Sequence, residues 1–524
     1  MSSSSISNVG TAKERARKIR HSLNVRDLVL YGIAGSLGLD TLGAASSYGG
    51  QALFWLLLIG LLFFAPYQLL MAELGSTFPR AGGVYEWGKI SGGRFYAALA
   101  ALLYWIANPL WIGGTMFVTV IATIKVFWFG SPSLLFGGTK TSDAIITIAI
   151  AAVFIWAIIG VALTPISVSK WLSNLGASAK LLLIGLFVIL ALVFFATGHA
   201  SGAHLGPQDL LPVGSWGLIV SAIIPLMVFK WQGFEVQVNV GDEVSDPQRD
   251  VPRSLIATGG LAAVAYVIPI VVTIFALSKS QIASSSGLQQ ALSNVTIVLP
   301  TPVAELIKWL FVPLLIIALG ASGATWIVSA TRAYAVAARD YAAPHWLARF
   351  NPATNAPRAA IVTSGIIATA AMVLSVLINR FSSGTLQSLF VLVIGFTISV
   401  NTLAYLFIFP DLLLLRYKQP DTKRPYRVPG GLPGAWLVTI LSMFFTIIVS
   451  YFLLFPTDDA IQSAGVSRLT YETTQLVTLA VIILLTIVFY LWGQRERVQH
   501  ERFQSTDENQ SQPTNQPDTA LDAP

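Results

Sequence analysis

Twelve long apolar runs set the rhythm of this chain, near residues 27–47, 51–74, 95–129, 143–163, 174–197, 216–240, 252–278, 304–338, 358–379, 386–415, 433–455 and 472–494. A helix crosses the hydrocarbon core of a bilayer in about 20 residues, so each run predicts a membrane-spanning helix. The third and eighth runs exceed that length and predict helices that tilt or project. Residues 1–26 are Ser-rich and then basic, with no apolar leader segment, so the first span is expected to do the targeting. The final stretch, 495–524, is rich in Gln, Asn, Asp and Pro and cannot build a core. It predicts a disordered tail.

Two of the runs are interrupted. Tyr31 to Gly49 reads YGIAGSLGLDTLGAASSYG, with five glycines and, near its middle, Asp40. A carboxylate near mid-bilayer costs roughly 2.5–3.5 kcal/mol on insertion scales, so it is expected to face a protein interior or a water-filled cavity. Glycines ease departure from helical geometry, and the freed backbone groups can then serve a ligand. The sixth run ends LMVFKWQGFEVQVNV, where Pro225, Lys230, Gly233 and Glu235 break the apolar pattern. Interruptions in the first and sixth spans occupy corresponding places in two five-helix halves. That is the pattern of an inverted-repeat transporter with its site at the midplane. The chain accordingly divides into a first repeat at 27–197, a second at 198–415, and two further helices with a preceding basic loop at 416–494.

Composition agrees: 54% of residues are hydrophobic and 11% charged, against roughly 25% charged in soluble domains. The distribution of charge adds orientation. The two tails and the five loops on their side hold 24 Lys and Arg, the opposite loops hold 6, and Lys180 and Lys230 fall inside spans. Both termini are therefore expected in the cytoplasm, with the plasma membrane as the location. The same rule explains the net charge of +7 without a nucleic acid partner. The run Lys13 to Arg20 is expected to anchor topology, with some attraction to anionic membrane lipids. Zero cysteines exclude disulfide and thiol chemistry.

Four strings make the chain recognisable: AELGSTFPRAGGVYEWG (Ala72 to Gly88), GFEVQVNVGDEVSDPQRDVPRS (Gly233 to Ser254), TRAYAVAARDYAAPHWLARFNPATNAP (Thr331 to Pro357) and RYKQPDTKRPYRVPG (Arg416 to Gly430). In this order they resemble the signatures of the amino acid–polyamine–organocation (APC) superfamily, over about Asp27 to Trp492. The resemblance implies an all-α polytopic membrane protein of about twelve transmembrane helices. Five plus five form an inverted repeat (LeuT-like), and two C-terminal helices follow. It also implies alternating access for a small-molecule substrate, an amino acid or an amine. One departure stands out. Where the family usually carries a Gly-Ser-Gly-like turn for the substrate carboxylate, this chain reads Gly38-Leu39-Asp40. A carboxylate there is similar to the polyamine and broad amino acid carriers of plants, where Glu commonly stands.

Candidate chemistry gathers at the two breaks. Gly35, Ser36 and Gly38 are expected to expose N–H groups that suit a carboxylate. Asp40 would attract an ammonium group, pair with a cation, or be a structural acid satisfied by protein donors. Lys230 would pair with Asp40 across the breaks or snorkel; Gln232 is its polar neighbour. Carbonyls ahead of the second half-helix, which starts at Gly233, could accept from a substrate amine. By resemblance, Phe229 is the aromatic gate, Trp326 the pocket floor, and Trp111 with the close-packing Gly113 and Gly114 the third-helix wall. By the same resemblance Lys180 stands where a sodium ion binds in other members. A desolvated lysine there can exchange a proton, which would make it, with Asp40, the coupling element; snorkelling is the alternative.

Other function classes lack their residues. The five histidines are scattered without metal spacing, and no GxxxxGK[ST] loop occurs for nucleotide-driven pumping. A channel would need a repeated selectivity element. The sequence thus predicts a proton-coupled amino acid permease without cofactor or resident metal and without catalytic residues. A polyamine or amine carrier, or an amino acid exchanger, is the alternative.

Overall fold

The computed structural model describes residues 23–511 apart from 81, 132, 200–206, 277–286, 382–385 and 465–466. The anchor run Lys13 to Arg20 lies outside the described residues, as does the tail from 512. The first span is two helices, α1 (Val25–Ser36) and α2 (Leu42–Ser46), with non-helical chain between them. Asn24 starts α1 with a capping box, its side chain accepting from the Asp27 amide. Among the described residues eleven further helices have the length and apolarity to cross a membrane, which with the broken first segment makes twelve spans. The third runs Arg94–Phe129 (α3, 36 residues) and the eighth Thr301–Arg339 (α6, 39 residues), the two long helices that the apolar runs predict.

The breaks sit at the centre of the packing. Helix α1 lies against α4 (Ile166–Ala196), α5 (Pro247–Ala276) and α6, and against the second break at Phe234–Gln237. The approach is close: a Cβ on Gly32 would meet Gln237 Nε2 at 1.8 Å, so only glycine fits there. The tenth span also bends, with one helix at Leu386–Ile408 (α7) and a short one at Asp411–Lys418 (α8) separated by Phe409-Pro410. The last helix, α9 (Arg468–Ser511), corrects the expected disordered tail: residues 495–511 continue the twelfth span as helix. An Arg497–Glu501 pair at 2.7 Å supports the added turns, and Glu496 accepts the His345 amide at 2.6 Å.

The four signature strings meet on one face, that of the basic loops. Glu73, fully buried, accepts from Arg416 Nε at 2.8 Å, from the Val428 amide at 2.7 Å, and pairs with Arg424 at 3.2 Å. Arg332 pairs with Glu243 at 3.1 Å, and Asn355 donates to the same carboxylate at 3.1 Å. Asp340 accepts from Tyr85 at 2.7 Å and pairs with Lys89 at 2.9 Å and Arg94 at 3.1 Å. These contacts tie the first repeat to the second at Asp340, the first repeat to the loop after the tenth span at Glu73, and the second repeat to itself at Arg332. Their residues do not line the cavity described next.

Candidate functional site

A helix end leaves its last carbonyls without intrahelical donors, and inside a membrane the protein must supply them. At the first break five consecutive carbonyls are served by side chains from three other helices. Lys180 on α4 donates to the carbonyls of Ile33 (3.3 Å), Ala34 (2.6 Å) and Leu37 (2.7 Å), and to Ser322 Oγ on α6 (2.7 Å). Trp326 Nε1, also on α6, donates to the Gly35 carbonyl at 2.9 Å. The Tyr266 hydroxyl on α5 donates to the Ser36 carbonyl at 2.7 Å and accepts the Gly38 amide at 3.0 Å. Lys180 is fully buried, so it does not snorkel. Its three N–H donors are spread over four oxygens, the coordination an ammonium shares with a bound cation.

This corrects one expectation. Gly35 and Ser36 close the C-terminal end of α1, where a helix orphans carbonyls rather than amides, and Tyr266 already holds the Gly38 amide. Among the described residues, the amides that find no acceptor at this break are those of Leu39, Asp40 and Thr41, ahead of α2.

At the second break, Ile224–Lys230 is α-helical and Phe234–Gln237 a 3₁₀ turn, with Gly233 between them at φ +96°. A side chain there would strain the backbone and meet the Trp326 ring at 2.5 Å. Of the carbonyls ahead of the second half-helix, those of Val228 and Phe229 accept the Trp231 and Gln232 amides at 3.0 and 3.1 Å. Beyond the break the Tyr67 hydroxyl accepts the Phe234 and Glu235 amides at 3.1 and 3.2 Å, and Tyr405 accepts that of Gly233 at 3.2 Å. The fully buried Glu235 carboxylate in turn accepts from Tyr67 and, at 2.8 Å, from Tyr405.

Between the breaks lies a cavity lined by both interrupted spans and by residues of the third, seventh, eighth and tenth spans. It brings together nine residues singled out from the sequence: Gly35, Ser36, Gly38, Asp40, Trp111, Phe229, Lys230, Gln232 and Trp326. Gly114 and Gly233 are not among its lining residues. Gly114 sits in a π-turn at Ile112–Met116, one residue after Gly113, whose Cα faces the Ala368 carbonyl; Gly233 packs under Trp326. Sequence reasoning missed Thr41, Asn108, Tyr266, Thr397 and Asn401. Asn108 and Asn401 were findable as amides inside apolar runs; Tyr266, an aromatic in a span, gave no such signal.

Asp40 and Lys230 line the same cavity without pairing. Trp111 Nε1 donates to Asp40 Oδ2 at 3.0 Å, while Lys230 Nζ donates to Thr41 Oγ1 at 3.0 Å and lies 4.8 Å from the Tyr266 ring centroid. No ion pair within 4.0 Å joins them among the described residues. Of the alternatives the sequence left open, a contact Asp40–Lys230 pair is not formed; Trp111 and Thr41 hydrogen-bond the two charged groups instead. Among the described residues no group of three His, Cys, Asp or Glu could hold a metal ion.

A sequence model of the amino acid permease family matches residues 26–489. A probable agmatine/putrescine antiporter of Lactococcus lactis is 27% identical over 414 residues, 77% of this chain and 83% of that protein. A glutamate/gamma-aminobutyrate antiporter of the same species is 25% identical over 463 residues, 83% and 84% of the two chains. Among solved structures, a variant of the Eremococcus coleocola manganese transporter superposes with TM-score 0.56 at 16% identity, covering 91% of this chain and 95% of that one.

Proposed function

Because the chain belongs to the amino acid permease family and is a membrane transporter, we propose that it carries amino acids across the plasma membrane by alternating access, with both termini in the cytoplasm. Substrate would sit in the cavity between the breaks. Phe229 would close over it, Trp326 and Trp111 would form the apolar walls, and the Leu39–Thr41 amides would face its carboxylate. One observation carries this reading: both breaks are built, with every freed carbonyl from Ile33 to Leu37 held by a side chain from another helix. A helix that merely frayed would not recruit three neighbours.

Proton coupling is the finer part of the reading. Lys180 fixes α1 to α4 and α6 through its ammonium, so loss of the proton would release the first break. Exchange of one solute for another is the second reading, favoured by relatives that are named antiporters; the first of those names also keeps amines in play. Uptake of labelled amino acids into proteoliposomes, with a pH gradient in one arm and internal unlabelled amino acid in the other, separates the two. Accumulation driven by the gradient alone supports coupling. Uptake only into preloaded vesicles supports exchange, and uptake in neither arm defeats the amino acid reading.

A further inference from the structure

We infer that Lys230 is the charge filter of this carrier: its substrates pair one carboxylate with one ammonium, and diamines are rejected. The inference rests on the cavity between the breaks being the substrate site.

Two charged side chains meet this cavity without a contact ion pair between them, although Asp40 acts on Lys230 through space. Lys230 is 2% exposed and Asp40 7%, and both line the cavity. A buried ion pair repays desolvation only through an opposite charge and further hydrogen bonds. Neither has an opposite charge within 4.0 Å among the described residues. Lys230 has three N–H donors and spends one on the Thr41 hydroxyl, resting also on the Tyr266 ring face. Asp40 spends Oδ2 on Trp111, and its Oδ1 takes no hydrogen bond from the described residues.

The neutral polar groups nearby are committed elsewhere. Asn108 donates to the Tyr104 carbonyl at 2.7 Å. Gln232 donates to Thr402 at 3.2 Å and accepts from Asn401 at 2.9 Å. The charged part of the cavity's open hydrogen-bonding capacity is thus one positive and one negative group, beside the amides of Leu39, Asp40 and Thr41 that find no acceptor among the described residues. A zwitterion supplies a contacting counter-charge to each. A diamine satisfies Asp40 but brings its second ammonium into the field of Lys230, where burial strengthens the repulsion. Without Lys230 the cavity would keep only Asp40 and favour cations. Specificity here comes from the repulsive element as much as from the attractive one.

The test is uptake by the full-length protein in proteoliposomes of L-alanine, L-leucine and gamma-aminobutyrate against putrescine and agmatine. Wild type should favour at least one zwitterion over both dications, the diamine putrescine and the amino-guanidine agmatine, by tenfold or more, about 1.4 kcal/mol. Lys230→Gln should cut that ratio at least about tenfold, and Lys230→Arg should keep it. Size-exclusion profiles check that the variants fold; should Lys230→Gln not fold, the wild-type and Lys230→Arg ratios still decide. Dication uptake equal to zwitterion uptake in wild type, or an unchanged ratio in a folded Lys230→Gln, overturns the filter while leaving the carrier reading intact. Uptake of neither class by wild type overturns the substrate-site reading and the filter with it.

Discussion

The Leu37 carbonyl, left without a helical partner where the first span breaks, accepts a hydrogen bond from Lys180 at 2.7 Å. One side chain thereby reaches from the fifth span into the gap of the first and ties it to Ser322 on the eighth. If that ammonium carries the coupling proton, Lys180→Met should abolish accumulation driven by a pH gradient while exchange into preloaded vesicles survives. Gradient-driven uptake at wild-type level in this variant would remove Lys180 from coupling.

Glu73 gathers two guanidinium groups and a backbone amide at a fully buried carboxylate. Removing one member of such a cluster leaves the others charged and unpaired, at a cost of about 3–5 kcal/mol. Glu73→Gln should therefore lower the melting temperature in detergent by several degrees and reduce membrane expression. A variant melting with wild type would show that the loop at Arg416 to Gly430 is held by other contacts.

Asp340 lies just past the end of the eighth span. Burial opposes its ionisation, but the Tyr85 hydroxyl together with Lys89 and Arg94 outweighs it and holds the carboxyl below its usual range. A depressed native pKa stabilises above the unfolded value near pH 4 and is lost as pH falls through the lower folded value. Asp340→Asn should thus cost about 1 kcal/mol at pH 7, with the gap to wild type closing in melts taken below about pH 4. A constant gap across that range would contradict the assignment.

Orientation is testable because the chain has no cysteine. A cysteine at Ser133 should react with an impermeant maleimide on intact cells, and one at Lys423 only after permeabilisation. The reverse pattern would invert the topology.

The spans were legible because twenty-residue apolar runs have few alternative uses, and the breaks because glycines and charges stand out against them. Asp40, Lys180 and Lys230 announced themselves in the same way. What the sequence hid is partnership. Helix polarity made the groups freed beside Gly35 and Ser36 carbonyls rather than amides, and which side chain reaches a buried charge first depends on the packing of distant helices. Trp111 is 71 residues from Asp40, and Thr41 is 189 from Lys230. The helical run to Ser511 was concealed because polar composition reads as disorder unless a neighbour extends the helix.

If the cavity between the two breaks binds a small amino acid for transport, uptake must depend on Trp326. Its indole both walls the cavity and holds the Gly35 carbonyl at 2.9 Å. Labelled amino acid uptake should be measured in proteoliposomes of wild type, Trp326→Ala and Phe229→Ala, each reconstituted as folded protein. A substrate site at this cavity predicts uptake by wild type and a loss of at least about tenfold in both variants. Wild-type kinetics in both folded variants would contradict it.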